Sequence, residues 1–552
     1  MRVRIKNRRG IALVVTLCFL IVGAIGAAAF MYLVKTEILQ VKRQSHSLKA
    51  FFTAEAGLDK GIEVLKTDLY YTPGESKPSW ADGTLYTTEG PIDLEPYGYP
   101  KCLDPVNPDY EGQFYTIIPE TDYKVEGNGN HKSTYEVELS NLEGWTDRVW
   151  VKSTGRYYEK DKSGSYVPDA KRTILSLVGA MDVSPWGYAI FANTGQNGLV
   201  VNGNVDIRGS VHILGDDLGP NDLAAEFSGS GRIGNNYDGI PPELDLKIPS
   251  IQKTYGTETL DSLETTVAIK NGKLSLSGTS YVGSPDVQGN GIKETVTGVY
   301  ITDGYTGNQG SRNVYSDNDT DNSYILGDFD VEFPWLTKPW GGYSNYLEEY
   351  IRLNAFVISG EKYPELPWVN GVLTIDPNIR FAPTGNLSPS ETPNSISMSE
   401  GGILNIEGMI LVDGDVVLEK AGNEKAIVYT GKRTLTAAKT PDGAGGNVTI
   451  ECNLVTFPDD TFPKYDFLGV MAEDTITFNS AGINVMGVFY AENKIVSQKQ
   501  TNVAGSFVSN YFDMGQNVPA IFQVPETTYN LPPGMIGSVH IWAIKKITWS
   551  EI

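Results

Sequence analysis

Residues 8–66 read RRGIALVVTLCFLIVGAIGAAAFMYLVKTEILQVKRQSHSLKAFFTAEAGLDKGIEVLK. The 24 residues from Ile11 to Val34 carry no charge. At about 1.5 Å per helical residue they span roughly 36 Å, enough to cross a hydrocarbon core of about 30 Å. Five basic residues (Arg2, Arg4, Lys6, Arg8 and Arg9) precede the run and an acidic mass follows it. That asymmetry keeps the N-terminus in the cytoplasm and sends the remainder across the membrane. A secretory signal peptide has an apolar region of only about 7–15 residues, followed by a small-residue cleavage site. Here the run is longer, and Gly10 stands before it. A simple signal anchor fits the same length and charge.

The sequence beyond the run separates these readings. Ile38, Val41, Ser45, Leu48, Phe52, Leu58, Ile62 and Leu65 recur at steps that mark one face of a continuing helix. No proline interrupts Ile11 to Lys66, and the four glycines in that span lower helicity without breaking it. One helix of about 55 residues, roughly 80 Å long, is expected to run from the membrane into a folded domain. An anchor alone has no need of such an extension.

RRGIALVV at 8–15, Glu37 in KTEILQ, and AFFTAEAGL at 50–58 resemble the PilX N-terminal family of type IV pilus minor pilins. The match covers about 60 of 552 residues. The resemblance implies that a prepilin peptidase cuts after Gly10, leaving Ile11 as the mature N-terminus. It also implies an inner-membrane assembly platform and other major and minor pilins as partners. The destination would be an extracellular pilus, reached from a single-pass inner-membrane precursor. Major pilins carry a glutamate at the fifth mature position, where it meets the amine of a neighbouring subunit. Val15 stands there instead. A buried carboxylate is costly without that amine, so a subunit with nothing ahead of it has no use for one. The substitution therefore fits a place at the filament tip, where the subunit helps assembly and displays its head.

The fold class expected is α+β: a pilin-type helix, a small antiparallel head, then a mainly β region. The boundaries read as a leader at 1–10, the helix at 11–66, and a loop region with a sheet at 67–180. TYEVEL (134–139), RVWVKSTGR (148–156) and KRTILSLVGA (171–180) alternate apolar and polar residues as half-buried strands do. Residues 67–130 are acidic and rich in Pro, Gly and Tyr, and read as a long ordered loop.

From Trp186 to about 215, and again over 401–552, short apolar strands alternate with Gly and Asn. GVMAEDTI starts at Gly469, GVFYAENKI at Gly487 and GSFVSNYF at Gly505. A short repeat of glycine-bounded strands predicts a β-solenoid; a β-sandwich is the alternative. Residues 216–400 read as an insertion into that region. Its aromatic segment FPWLTKPWGGY (333–343) and short helix NYLEEYIRL (345–353) suggest either a partner-binding surface or a flap over the solenoid. The last residues read as a strand closing a sheet edge.

The net charge of −23 argues against nucleic-acid binding, because no phosphate-neutralising surface is available. Asp317, Asp319 and Asp321 alternate, and Asp328 falls at position 12 from Asp317. That spacing approaches a calcium loop, with Asn322 in place of glycine at position 6 and Asp in place of Glu at position 12. A solvated turn rich in Asp and Asn explains the same residues. Cys102 and Cys452 would both be extracytoplasmic, where a disulfide could persist. The four histidines are scattered and give no zinc pattern. No nucleophile elbow, Walker loop or His-Glu-x-x-His occurs, so no catalytic residue is assigned. A membrane-anchored solenoid enzyme acting on polysaccharide is the alternative function.

Overall fold

The computed structural model describes the chain apart from residues 1–7, 72–84, 88–89, 93–113, 127–128, 142–147, 197–200, 204, 256–257, 308–312, 319–322, 325–330, 379, 383, 388–392, 400–401, 421–425, 458, 498, 515–518 and 538–541. It forms two compact units. One comprises residues 1–180 together with 544–552, and the other residues 181–543.

The first unit is built on α1 (Arg8–Tyr71), a single helix of 64 residues. It is somewhat longer at both ends than the sequence pattern indicates. Its second half lies under a sheet of five strands: β1 (Tyr115–Glu126), β2 (His131–Asn141), β3 (Arg148–Lys160), β4 (Tyr166–Asp182) and β5 (Trp542–Glu551), in that spatial order. The β1–β2, β2–β3 and β3–β4 pairs are antiparallel. The three strands expected from alternation all lie within β2, β3 and β4. β1 falls where the sequence reads as loop. β5 corrects a boundary: residues 544–552, assigned to the solenoid by sequence, complete this antiparallel sheet instead. Ser176 Oγ donates to the Thr548 carbonyl at 2.8 Å, and the Ile552 amide to Thr173 at 3.1 Å. Val149, Val151, Ile174 and Val178 on the sheet, with Ile544 of β5, close over Ala54, Leu58 and Leu65 of the helix. Each large apolar side chain buried there contributes about 1.5–3 kcal/mol.

The second unit is a parallel β-solenoid, so the β-sandwich alternative does not hold. Successive coils pair in parallel along three faces. On the first face, Ile410, Leu435, Val470, Phe489, Phe507, Ile190, Val211, Val267 and Val299 lie in register on nine neighbouring strands. All nine are buried, forming one apolar ladder through the stack. Gly487 pairs with Gly505, eighteen positions on, as the repeat predicts. Val470 pairs with Phe489, nineteen positions on. The first repeat is thus one residue out of step at its glycine and in step at Ala472 and Ala491.

The path through the stack is unusual. The chain enters at mid-stack with strand Ile190–Gln196 and builds coils in one direction as far as Val314. It restarts at the opposite end with Phe356–Ile358 and returns coil by coil until Thr501–Asp513 pairs with Ile190–Gln196. Strand Ala520–Phe522 then fits between Thr501–Asp513 and Asp206–Arg208. Residues 216–400 are therefore only partly an insertion, since Arg232–Gly234, Thr266–Ile269 and Gly298–Ile301 are coil strands. The segment around 333–347 is a flap. Phe333 stacks near Phe191 and Tyr490, with centroids 6.3 and 5.9 Å away. Tyr490 Oη donates to the Pro334 carbonyl at 2.7 Å and accepts the Leu336 amide at 3.1 Å. The expected short helix is a π-type turn, Leu347–Ile351, followed by Arg352–Asn354.

Entry and exit of this unit are bonded to each other. Trp186, fully buried, donates from Nε1 to the Ile536 carbonyl at 2.8 Å. Gln523 Nε2 donates to Gly187 at 2.8 Å and Thr528 Oγ1 to Trp186 at 3.1 Å. A unit whose ends lie together can be inserted into a loop of another fold.

Candidate functional site

Gly10 and Ile11 lie within α1 near its start, and their side chains fall outside the described residues. From Leu13 to Val41 the helix is exposed along its length, including Val15 at 46% and Glu37. One window of this helix has a mean hydropathy of 2.6 and none of it is buried. By length and composition it suffices as a single-pass membrane anchor.

Burial begins at His46, and here the expected face needs correction. Ile38, Val41, Leu48 and Phe52 are exposed, whereas Ala50, Thr53, Ala54, Gly57, Leu58, Gly61 and Leu65 are buried. The contact face in this stretch is made largely of small residues because sheet and helix approach at backbone distance. A Cβ added to Gly61 would stand 2.8 Å from Val137 Cγ1 and 3.1 Å from Val151 Cγ1. One on Gly57 would meet the Tyr135 side chain at 2.9 Å. Across the seam, a Cβ on Gly155 of β3 would run into the Ala50 carbonyl and the backbone of Ala54. AFFTAEAGL is therefore a packing motif: Ala50, Ala54 and Gly57 admit the sheet, and Leu58 fills the core below them. Phe51 meets Trp549 of β5 edge-on, with centroids 6.0 Å apart.

Polar pairs border the seam. Lys42 Nζ lies 2.8 Å from Glu159 Oε2, and Lys546 Nζ lies 2.9 Å from Asp59. The Lys42 hydrogen bond raises that lysine and lowers Glu159 from their ordinary values. His46 Nδ1 pairs with Asp169. The histidines that look scattered in the sequence are partly assembled by the fold. His46 and His131 have ring centroids 6.3 Å apart, and ligand atoms of His46, Glu159 and Asp169 lie within 4.8 Å of one another. The Lys42 ammonium and the His46–Asp169 pair engage His46, Glu159 and Asp169 within the protein, which makes the cluster a polar clasp between helix and sheet.

The calcium reading falls mostly outside the described residues. Asp319, Asp321 and Asp328 lie outside the described residues. Asp317 is already engaged by Lys293 Nζ at 2.6 Å and by Thr295 Oγ1 at 2.9 Å. Cys452 is a free, fully buried thiol that burial pushes up to about 12, and Cys102 lies outside the described residues. His212 sits in the solenoid wall between Tyr188 and Phe191, its Nε2 2.9 Å from Tyr324 Oη. Burial, helped by Lys270, lowers it to about 3, so it is a neutral core residue. Beneath the flap, Glu492 of strand Ile483–Ser497 accepts from the Thr337 amide at 2.8 Å and from its hydroxyl at 2.5 Å, and burial raises its carboxyl above the ordinary value.

A helix that is exposed and apolar over its first half and embedded in an antiparallel sheet over its second defines a pilin-like fold. The crystal structure of the competence-associated pilin ComZ from Thermus thermophilus matches this chain with a TM-score of 0.52 and 20% sequence identity. The match covers 92% of this chain and 97% of that one, so it takes in the β-rich unit as well as the pilin part. No protein-family model matches the sequence, and no curated protein does.

Proposed function

We propose that this chain is a non-catalytic minor pilin of a type IV pilus-like filament, placed at or near its tip. Its β-solenoid serves there for adhesion or partner binding. The observation that carries the reading is the division of α1: an exposed apolar half of membrane length leads into a half packed beneath the head sheet. The exposed half is suited first to the membrane and then to a bundle of like helices. A unit of 363 residues (181–543) on every subunit would crowd a filament, which favours a place at low copy number. Val15 in place of a carboxylate supports the same placement. The resemblance to PilX-type pilins accounts for Gly10 as the last leader residue and for prepilin peptidase, the assembly platform and other pilins as partners.

N-terminal sequencing of the chain from a host with prepilin peptidase is expected to begin at Ile11. Gly10→Arg is expected to leave the leader in place. An uncut chain in such a host would remove the pilin reading and leave an anchored surface protein. Immunogold labelling is expected at filament ends; uniform labelling along filaments would refute the tip placement.

A further inference from the structure

The outward side chains on the third solenoid face form one register line: Asn484, Asn502, Ala520, Asp206, Arg232 and Tyr281 on consecutive strands. Five are polar or aromatic; Asn484 is buried, and Asn502, Asp206, Arg232 and Tyr281 are partly exposed. Ala520 is a methyl group, so the line has a gap at its middle. A cleft of about 500 Å³ opens there, lined by Asp206, Arg232, Tyr281, Gln500, Asn502 and Ala520 among others. Its size falls within the range of about 300–1,000 Å³ typical of small-molecule clefts.

The polar groups in this cleft are held in place from behind. Arg208 is a buried cation, its side chain only 5% exposed. Its Nε donates to Asp206 Oδ1 at 2.6 Å and its Nη1 to Asn236 Oδ1 at 3.0 Å. Arg232 Nη2 lies 2.7 Å from the other oxygen of Asp206. Asn502 Nδ2 donates to Asn484 Oδ1 at 3.0 Å, and Asn484 in turn donates to Glu243 at 2.9 Å. Ordered hydrogen-bonding groups bind with little further loss of conformational freedom. The charges also balance, since Arg208 and Arg232 face Asp206 and Asp238. A phosphate-bearing or uronate ligand would need a surplus of positive charge, which this cleft lacks. An apolar ligand would leave the remaining hydrogen-bonding positions of Asp206, Arg232, Asn502 and Gln500 unused and cut off from water. A neutral, polyhydroxylated ligand meets both conditions. Its hydroxyls can donate to Asp206 and accept from Arg232, Asn502 and Gln500, and Tyr281 supplies an apolar ring at the edge.

We propose that this cleft is a binding site for a neutral saccharide. The proposal deepens the display reading above by naming the class of partner. The test is calorimetric titration of the full-length, detergent-solubilised chain. The probes are neutral hexasaccharides (cellohexaose, laminarihexaose, maltohexaose and mannohexaose), with oligogalacturonate and a single-stranded oligonucleotide as charged counterparts. At least one neutral hexasaccharide is expected to bind. Ala520→Phe, which fills the gap without replacing a polar group, is expected to weaken that binding by about tenfold or more, and Tyr281→Ala to weaken it similarly. Thermal unfolding verifies that each variant is folded, and either folded variant suffices for the comparison. Absence of binding to all four neutral probes overturns the proposal. So does binding that both folded variants retain, or stronger binding of a charged probe. Leader cleavage is read separately on the same preparations. A cleaved chain that binds no neutral sugar refutes the cleft alone, and an uncleaved chain that binds refutes the pilin reading alone.

Discussion

Replacing Phe507 by alanine tests whether the solenoid is held by its internal ladder. The ring is 1% exposed and lies in the strand that joins the two runs of coils. Its neighbours in register are Phe489 and Ile190. Its centroid is 5.3 Å from Phe478, nearly stacked, and 5.7 Å from Phe489, edge-on. Burying a phenylalanine is worth about 1.5–3 kcal/mol, and each aromatic pair adds about 0.5–1.5 kcal/mol. The two together, allowing for partial collapse of the cavity, give a loss of about 3–5 kcal/mol, the usual range for such a truncation. With a urea dependence of about 3 kcal/mol per molar, the midpoint should fall by about 1–1.7 M. Tryptophan fluorescence of the full chain in detergent reads the transition, because Trp186 is fully buried beside this strand and its carbonyl lies 3.5 Å from Ser506 Oγ. Trp186→Phe identifies its share of the signal. Leu353→Ala, at a residue 76% exposed, is the control and should shift the midpoint by less than about 0.3 M. If Phe507→Ala shifts it no further than the control, the ladder is not what holds the coils together.

Gly155→Val should drive a side chain into the backbone of α1 at Ala50 and Ala54, at a cost at or above the usual 1–3 kcal/mol of overpacking. Limited proteolysis should then cut between residues 46 and 66, where the parent chain should resist; equal resistance would refute the close seam. His212, held neutral, should make the solenoid less stable as pH falls below 6.5, because only the unfolded chain then takes up the proton. The loss should reach about 2 kcal/mol at pH 5, and His212→Phe should remove it in urea titrations at the two pH values. Glu492 acts with the opposite sign: its raised carboxyl destabilises the fold as pH rises from about 4.5 through the folded value. Glu492→Gln, which can still accept from Thr337, should therefore raise the midpoint at pH 7 and leave it unchanged at pH 4. An equal effect at both values would refute the burial argument.

The parts of the fold legible in the sequence are those whose cause is local. An uncharged run of membrane length and strands that alternate apolar and polar residues declare themselves without any partner. The buried face of α1 differs from the periodic one because periodicity selects large apolar residues, while this seam requires Ala50, Ala54, Gly57 and Gly61. β1 is not legible because its core, TIIPETDYKVE, contains Pro119 and three acidic residues and covers little of the helix. β5 could not be assigned to its sheet, because its neighbour β4 lies more than 350 residues earlier in the chain. Solenoid coils between 232 and 301 leave no repeat in the sequence because coil length varies, and only the last coils keep to eighteen or nineteen residues. At the candidate site, His46, Glu159 and Asp169 come from three different elements, so no spacing could announce them. The cleft on the third face has the same origin. Asp206 and Asn502 stand nearly 300 positions apart, and the strand carrying Ala520 lies between theirs only because the two runs of coils meet there.

That meeting point has a consequence for how such a protein can change over time. A solenoid attached at one end has a single free terminus at which coils are gained or lost. Here the chain enters and leaves at the middle of the stack, so neither extremity carries those connections. Each coil contacts only its neighbours, so adding or removing the outermost one alters total stability by roughly one interface. Trp186, Gln523 and Thr528, which hold entry to exit, are left untouched by such a change. Reach and surface can therefore vary at either extremity across a lineage, while the stem that carries them stays the same.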